Sequence, residues 1–254
     1  MYLGFKKSLK RIPEKENTMT TALDISGMID HSILHPTFTD DDLKKNCEIA
    51  VKYHTATVCV KPYHTKMAAE IMNGSGVAVC AVIGFPHGNS VIDIKAAEAL
   101  RVIKDGAAEV DMVVNIGKVL QGDWNYIDSE IKTIQDTCLR NNAILKVIFE
   151  TDYLARDEDK IKLCKLCSKY KVAFVKTSTG YGFVKGSDGK YSYEGATEHN
   201  VKLMRKYCAP EIHIKAAGGI RNLEQVLKMR ELGVTRIGAT ATAEIVEEAK
   251  RRFK

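Results

Sequence analysis

At 254 residues, with 45% hydrophobic and 7% aromatic content, the chain can bury a large core, and one domain of α/β-barrel size is the default expectation. Its 38 Lys+Arg against 32 Asp+Glu leave a formal +6, but the only local excess is FKKSLKRIPEK near the N-terminus, and no basic run interleaved with aromatics follows it, which argues against a nucleic-acid groove. No stretch approaches the ~18 uninterrupted apolar residues of a membrane span and the N-terminus lacks an apolar signal core, so no membrane partner and a cytoplasmic location are expected.

Residues 1–18 read as a flexible N-terminal extension, with Met19 an alternative start, and residues 19–254 as the folded domain. The first strand-like run is GMID (27–30); the HSILHPTFTD after it holds no GxGxxG phosphate loop. TDDDLKKNCEIAVKYH then opens a helix at Thr39, with acids in its first turn. ATVCV (56–60) and VAVCAVIGF (77–85) are the next strands, and NSVIDIKAAEALRVIKDG is a helix opening at Asn89 and stopping at Gly106. AEVDMVV (108–114), AILKVIFE (143–150), AFVKT (173–177), EIHIKAA (211–217) and TRIGA (235–239) complete the strands, with the helix RNLEQVLKMRELG between the last two running from Asn222 to Gly233. Nearly all-apolar strands alternating with helices require a parallel sheet covered by helices. Eight such units predict a single-domain (β/α)8 TIM barrel rather than an open doubly wound sheet.

In a barrel of this kind, polar residues at the carboxyl ends of strands line the active face. Asp111 falls in the fourth strand, Lys146 and Glu150 in or just past the fifth, Lys176 at the end of the sixth and Lys215 near the end of the seventh. A buried ion-pair cluster is the bland reading of these residues. Three lysines against two acids would leave that cluster short of negative charge, and this imbalance suits nucleophilic amine chemistry. A lysine of ordinary pKa ~10.4 needs a shift of roughly three units, about 4 kcal/mol, to be half-neutral at pH 7. Burial and a second cation both push that way. Lys215 is placed to be the second cation, and Asp111 to shuttle a proton. After the seventh strand AAGGIRN carries Gly218 and Gly219, and after the eighth GATATAE carries Gly238 and Thr240; glycines before helix starts admit an anion such as phosphate to the backbone N–H groups.

The segments MIDHSIL, VCVKPYH, VIGFPHG, EVDMVVN, LKVIFET, VKTSTGYG, KAAGGIRN and RIGAT, in this order, resemble the deoxyribose-phosphate aldolase family over nearly the whole chain after residue 27. The resemblance implies a class I lyase that reversibly cleaves 2-deoxy-D-ribose 5-phosphate to D-glyceraldehyde 3-phosphate and acetaldehyde, in deoxyribose phosphate catabolism, with no metal or cofactor. It implies Lys176 as the Schiff-base lysine, and Asp111 with Lys215 as the proton donor and acceptor pair. Thr179, Gly180, Gly218, Gly219, Gly238 and Thr240 become the phosphate cradle, and Asp30, Cys59 and Lys146 active-site lining. A homo-oligomer, dimer or tetramer, is also implied.

Two stretches depart from the family pattern. YGFVKGSDGKYSYEGAT, with an SDG turn between aromatic-containing arms, predicts an inserted hairpin within 181–196 beside the phosphate loops, and the terminal RRFK offers no tyrosine to reach the site. The seven scattered cysteines read as reduced, buried thiols, and the lone CxxC of Cys164 and Cys167 as structural, because it lies in a helix-period segment without a second pair. His31 and His35 read as structural hydrogen bonders, and His87 as a loop brace. Another phosphosugar enzyme on the same barrel, or a phosphosugar-binding protein without catalysis, are the competing readings.

Overall fold

Strands carrying apolar side chains on both faces are stable only when helices cover one face and other strands' side chains the other, and closing the sheet on itself satisfies both demands. In the computed structural model, which describes residues 20–253, the strands are β1 (Ile29–Ile33), β2 (Thr57–Val60), β3 (Ala78–Ile83), β4 (Glu109–Val113), β5 (Ile144–Ile148), β6 (Phe174–Lys176), β7 (Val184–Lys185), β8 (Tyr191–Ser192), β9 (His213–Ala217) and β10 (Arg236–Ala239). The segment read as an N-terminal extension, and Met19, lie outside the described residues. All strands but β7 and β8 form one closed parallel barrel in the order β1-β2-β3-β4-β5-β6-β9-β10, so the expected (β/α)8 architecture is present. Strands β9 and β10 are its seventh and eighth staves.

The covering helices are α1 (Ala22–Ser26), α2 (Asp40–Tyr53), α3 (Thr65–Met72), α4 (Ile92–Lys104), α5 (Ile116–Gln121), α6 (Trp124–Arg140), α7 (Asp157–Lys169), α8 (Glu198–Tyr207), α9 (Leu223–Glu231) and α10 (Thr242–Arg252). Thr39 caps α2 in a reciprocal box with Asp42, and Asn222 caps α9 through the N–H of Gln225, as their sequence signals predict. Helix α4 starts two residues later than a cap at Asn89 predicts. Val91 is its N-cap, and the buried Lys95 of its first turns donates to Glu130 of α6 and to the Val113 carbonyl, each at 2.7 Å. This buried contact joins α4 to α6, and no side chain caps the helix start.

Ile, Val and Ala on the outward strand faces join the helices in one continuous apolar core. The lumen is different. Asp30, Glu109, Asp111, Lys146, Lys176, Lys215 and Arg236 project into it, and their burial is possible because each meets opposite charge.

Candidate active site

The register of the barrel brings the charged residues together. Lys176 is the Cα partner of Lys215 across β6 and β9, and Asp111 that of Lys146 across β4 and β5. Asp111 then works as a hub. Its Oδ2 accepts from Lys176 Nζ and from Lys215 Nζ, both at 2.8 Å, while its Oδ1 accepts from Lys146 Nζ at 2.8 Å and from the Cys80 thiol at 3.1 Å. Lys215 also pairs with Asp30, which is held from below by Arg236 at 2.6 Å and by the Thr57 hydroxyl at 2.8 Å. Glu109 closes the network, taking Lys146 at 2.6 Å and Arg236 at 2.9 Å.

Burial alone would raise the Asp111 carboxyl, yet the ammonium groups of Lys146, Lys176 and Lys215 outweigh it and hold it well below the usual carboxylate range. Asp30 is likewise lowered, burial being overcome by Arg236, Lys215 and Lys146. Burial works against the charge on Lys215, but Asp111 and Asp30 raise its ammonium above the ordinary lysine value. Four cationic heads (Lys146, Lys176, Lys215, Arg236) thus face three carboxylates (Asp30, Glu109, Asp111). Lys176 is the member whose ion pairing rests on Asp111 alone.

Above this layer opens a cleft of about 520 Å³ at the carboxyl ends of the strands. Lys176, Lys215, Asp30 and Cys59 reach its floor, and Thr179, Gly180, Gly218, Gly219, Gly238 and Thr240 line one side. Asp111 and Lys146 do not line it. Both are fully buried one level down, and Lys146 meets the cleft floor through Asp30, 3.6 Å from its Nζ. Gly218 needs to be glycine twice over, since its φ is +92° and a Cβ there would lie 2.9 Å from the Gly195 Cα. At Gly238 a Cβ would press on Ala217 at 2.9 Å. The N-terminus of α10, which follows Thr240, has no side-chain cap, so its N–H groups are left for another acceptor.

A family model described as DeoC/LacD family aldolase matches residues 25–242. The chain belongs to that aldolase family. It is 44% identical over 230 residues to the deoxyribose-phosphate aldolase of Rhodopirellula baltica, covering 91% of each chain. It is 43% identical to that of Thermococcus gammatolerans, covering 90% of this chain and 97% of the relative. Among solved structures, the tetrameric deoxyribose phosphate aldolase of Aeropyrum pernix superposes with a TM-score of 0.80 at 26% identity, over 91% of this chain and 92% of that one.

In this aldolase the segment after β6 forms the expected hairpin: β7 and β8 pair antiparallel, Val184 with Ser192 and Lys185 with Tyr191. Its arms send Tyr181, Phe183 and Tyr193 to the cleft, with Phe183 and Tyr193 edge to face at 5.3 Å. Its return arm is fastened at the base. The Asp152 carboxylate accepts the N–H groups of Glu194 at 2.6 Å and Gly195 at 3.1 Å, and Ala196 donates to the Gly218 carbonyl at 3.1 Å. Glu150 is not part of the lumen cluster. It has a left-handed φ of +55° and turns to Thr179, accepting its backbone N–H at 3.2 Å and its hydroxyl. Burial pushes its carboxyl up to about 7 against those hydrogen bonds.

Glu109, Cys80 and Arg236 belong to the lumen cluster although sequence reasoning did not single them out. Period-two alternation would have found two of them: Glu109 precedes Asp111 by two positions and Arg236 precedes Gly238 by two, so each shares an inward face. His31 is held by Thr242 at 2.8 Å and Asn46 at 2.9 Å, and His35 by Thr37 at 2.7 Å. His87 is exposed and does not line the cleft. Donor atoms of Cys59, Cys80 and Asp111 lie within 4.8 Å of one another, a spacing a metal could use. The three lysines on the Asp111 carboxylate oppose a cation there. Cys164 and Cys167 are buried and in no such group among the described residues. None of the described helices is long and apolar enough to cross a membrane.

Proposed function

We propose that the chain is a class I deoxyribose-phosphate aldolase, reversibly cleaving 2-deoxy-D-ribose 5-phosphate to D-glyceraldehyde 3-phosphate and acetaldehyde through an imine on Lys176. The observation that carries this reading is the sharing of one Asp111 oxygen by Lys176 and Lys215 beneath the cleft. The cluster carries one cation more than it has carboxylates, and Lys176, bordering the cleft with a single ion-pair partner, is the amine placed to meet a carbonyl there.

The uncharged Lys176 Nζ attacks C1 of the open-chain sugar, and loss of water gives the iminium. Its nitrogen draws the C2–C3 bonding electrons as the C3 hydroxyl gives up its proton, releasing D-glyceraldehyde 3-phosphate and leaving the enamine. Asp111 and Lys215, each 2.8 Å apart across the hydrogen bond at Oδ2, are the pair that accepts and returns protons. Protonation at C2 and hydrolysis then free acetaldehyde and the lysine. The charge count favours the central step: with Lys176 neutral the cluster is balanced, the iminium restores the excess cation, and forming the enamine removes it. Gly180, Gly218, Gly219 and Gly238, with Thr179, Thr240 and the α10 N-terminus, hold the phosphate. Asp30 holds Lys215, and Cys59 lines the floor. No metal or other cofactor enters this scheme.

Deoxyribose phosphate catabolism in the cytoplasm and a homo-oligomeric assembly complete the proposal; the tetramer of the Aeropyrum pernix relative supports the last of these points. Incubation with acetaldehyde and borohydride followed by peptide mass mapping tests it. A reduced two-carbon adduct on Lys176, with cleavage of 2-deoxy-D-ribose 5-phosphate by the untreated protein, is expected. A binding protein would gain no adduct, and a different aldolase would leave that sugar phosphate intact.

A further inference from the structure

We propose that Cys59 and Cys80 are a peroxide-reactive thiol pair, in which a hydroperoxide entering the cleft oxidises Cys59 and Cys80 resolves it as a disulfide. The two are Cα partners on adjacent parallel strands, β2 and β3, and both side chains enter the lumen. Paired positions on neighbouring strands lie ~4.8 Å apart, inside the ~4.4–6.8 Å that a disulfide spans. Their sulfurs are already 3.8 Å apart. Bond formation needs each side chain to close by about 1 Å, without moving the strands.

The two thiols divide the roles by position. Cys59 lines the cleft and meets whatever enters it, while Cys80 is fully buried behind it. The contact with the Cys80 sulfur and the nearby Lys215 ammonium lower the Cys59 thiol from its ordinary value, against burial. The five remaining cysteines are buried and line no part of the cleft. Burial pushes Cys47 up to about 11 and Cys138 up to about 12, and also raises Cys167.

The chemistry balances with the hydroperoxide as the sole oxidant. The Cys59 thiolate attacks the O–O bond, giving a sulfenic acid and an alcohol or water after protonation. The Cys80 sulfur then attacks the Cys59 sulfur, and its proton leaves with the displaced hydroxide as water. Two thiols are oxidised to one disulfide and one hydroperoxide is reduced. The product lacks the S–H that donates to Asp111 Oδ1, so the hub of the lumen cluster loses a donor.

The test exposes the full-length protein to hydrogen peroxide, caps remaining thiols with iodoacetamide and maps the peptides by mass. A Cys59–Cys80 linked pair, with the other five cysteines alkylated and the link reversed by dithiothreitol, is the expected result. In Cys80→Ala no link forms and Cys59 advances to sulfinic acid, which dithiothreitol does not reverse. Oxidation spread over all seven thiols overturns the proposal, as does a parent protein whose Cys59 is oxidised without linking to Cys80. The mapping does not depend on turnover. Assayed in parallel, cleavage of deoxyribose 5-phosphate should fall and recover with the link, a consequence that rests on the proposed function. A reversible link with undiminished cleavage would support the thiol pair and count against the assignment of this cleft as the catalytic site.

Discussion

Lys176 and Lys215 are register partners on β6 and β9, and their ammonium groups converge on a single oxygen of Asp111, each at 2.8 Å. Neighbouring strands put both side chains at the same height in the lumen, so two like charges are held together over one negative atom.

Replacing Lys176 by alanine should abolish catalysis without unfolding the barrel, because it removes the excess cation rather than a packed apolar group. Turnover is expected to fall by a factor on the order of 10⁴ or more, as for other lost nucleophiles. Circular dichroism melting alongside the cleavage assay checks both halves; unchanged cleavage in Lys176→Ala ends the assignment.

Lys215→Met balances the cluster with Lys176 still charged. The rate at pH 7 should drop roughly 10- to 100-fold, and the rising limb of the pH–rate profile should move to more alkaline pH. A profile superimposable on the parent's would contradict the charge argument.

Glu150 carries a stability signature of defined sign. Its folded value of about 7 lies above the ordinary 4.5, so between these values the native state binds more protons than the unfolded chain. Its contribution is most favourable below about pH 4.5 and is lost as pH rises through 7, a change of about 3 kcal/mol over that span. The lowered Asp30 and Asp111 act in the opposite sense, losing their contribution in acid, so the informative quantity is the difference between parent and Glu150→Gln. Urea unfolding from pH 5 to 8 should show that the substitution removes the alkaline loss.

Gly195→Ala should act on the phosphate end. The residue has a φ of +71°, and a Cβ would lie 2.5 Å from the Gly218 carbonyl oxygen, which must shift. A loss of about 1–3 kcal/mol is expected, with a KM raised more for deoxyribose 5-phosphate than for unphosphorylated deoxyribose. Equal effects on the two substrates would detach the hairpin base from phosphate binding.

Arg236→Leu removes one of the two cations that Asp30 and Glu109 share, the other being Lys146, and should cost about 3–5 kcal/mol in urea midpoint measurements. A variant as stable as the parent would show that Lys146 and Lys215 suffice for both carboxylates.

The barrel was legible because β-branched runs and helix caps repeat in strict alternation. Asp111, Lys176 and Lys215 stood out as charges near the carboxyl ends of otherwise apolar strands. Depth in the lumen was not legible. Lys146 and Lys176 both sit on inward faces, but the pairing of Ile148 with Lys176 shows that β5 is staggered, which sinks Lys146 below the cleft. That stagger belongs to the pairing of strands and leaves no mark in either strand's own residues. Glu150, read from the sequence as an acid of the cluster, lies outside it for a different reason: the strand ends at Ile148, and the left-handed backbone at Glu150 breaks the alternation that would have aimed it inward. Arg236 and Glu109 obeyed the alternation but lay at the entering ends of their strands, where attention to the active face does not look.

The hairpin is pinned where it rejoins the barrel, through Asp152 and the Gly218 carbonyl, while the turn at its far end, around Asp188 and Gly189, bonds only within itself. Anchorage and tip are therefore separable pieces of chain. The tip lines no part of the cleft, so it is the piece that can be lengthened, shortened or exchanged as a cassette without disturbing the lumen charges.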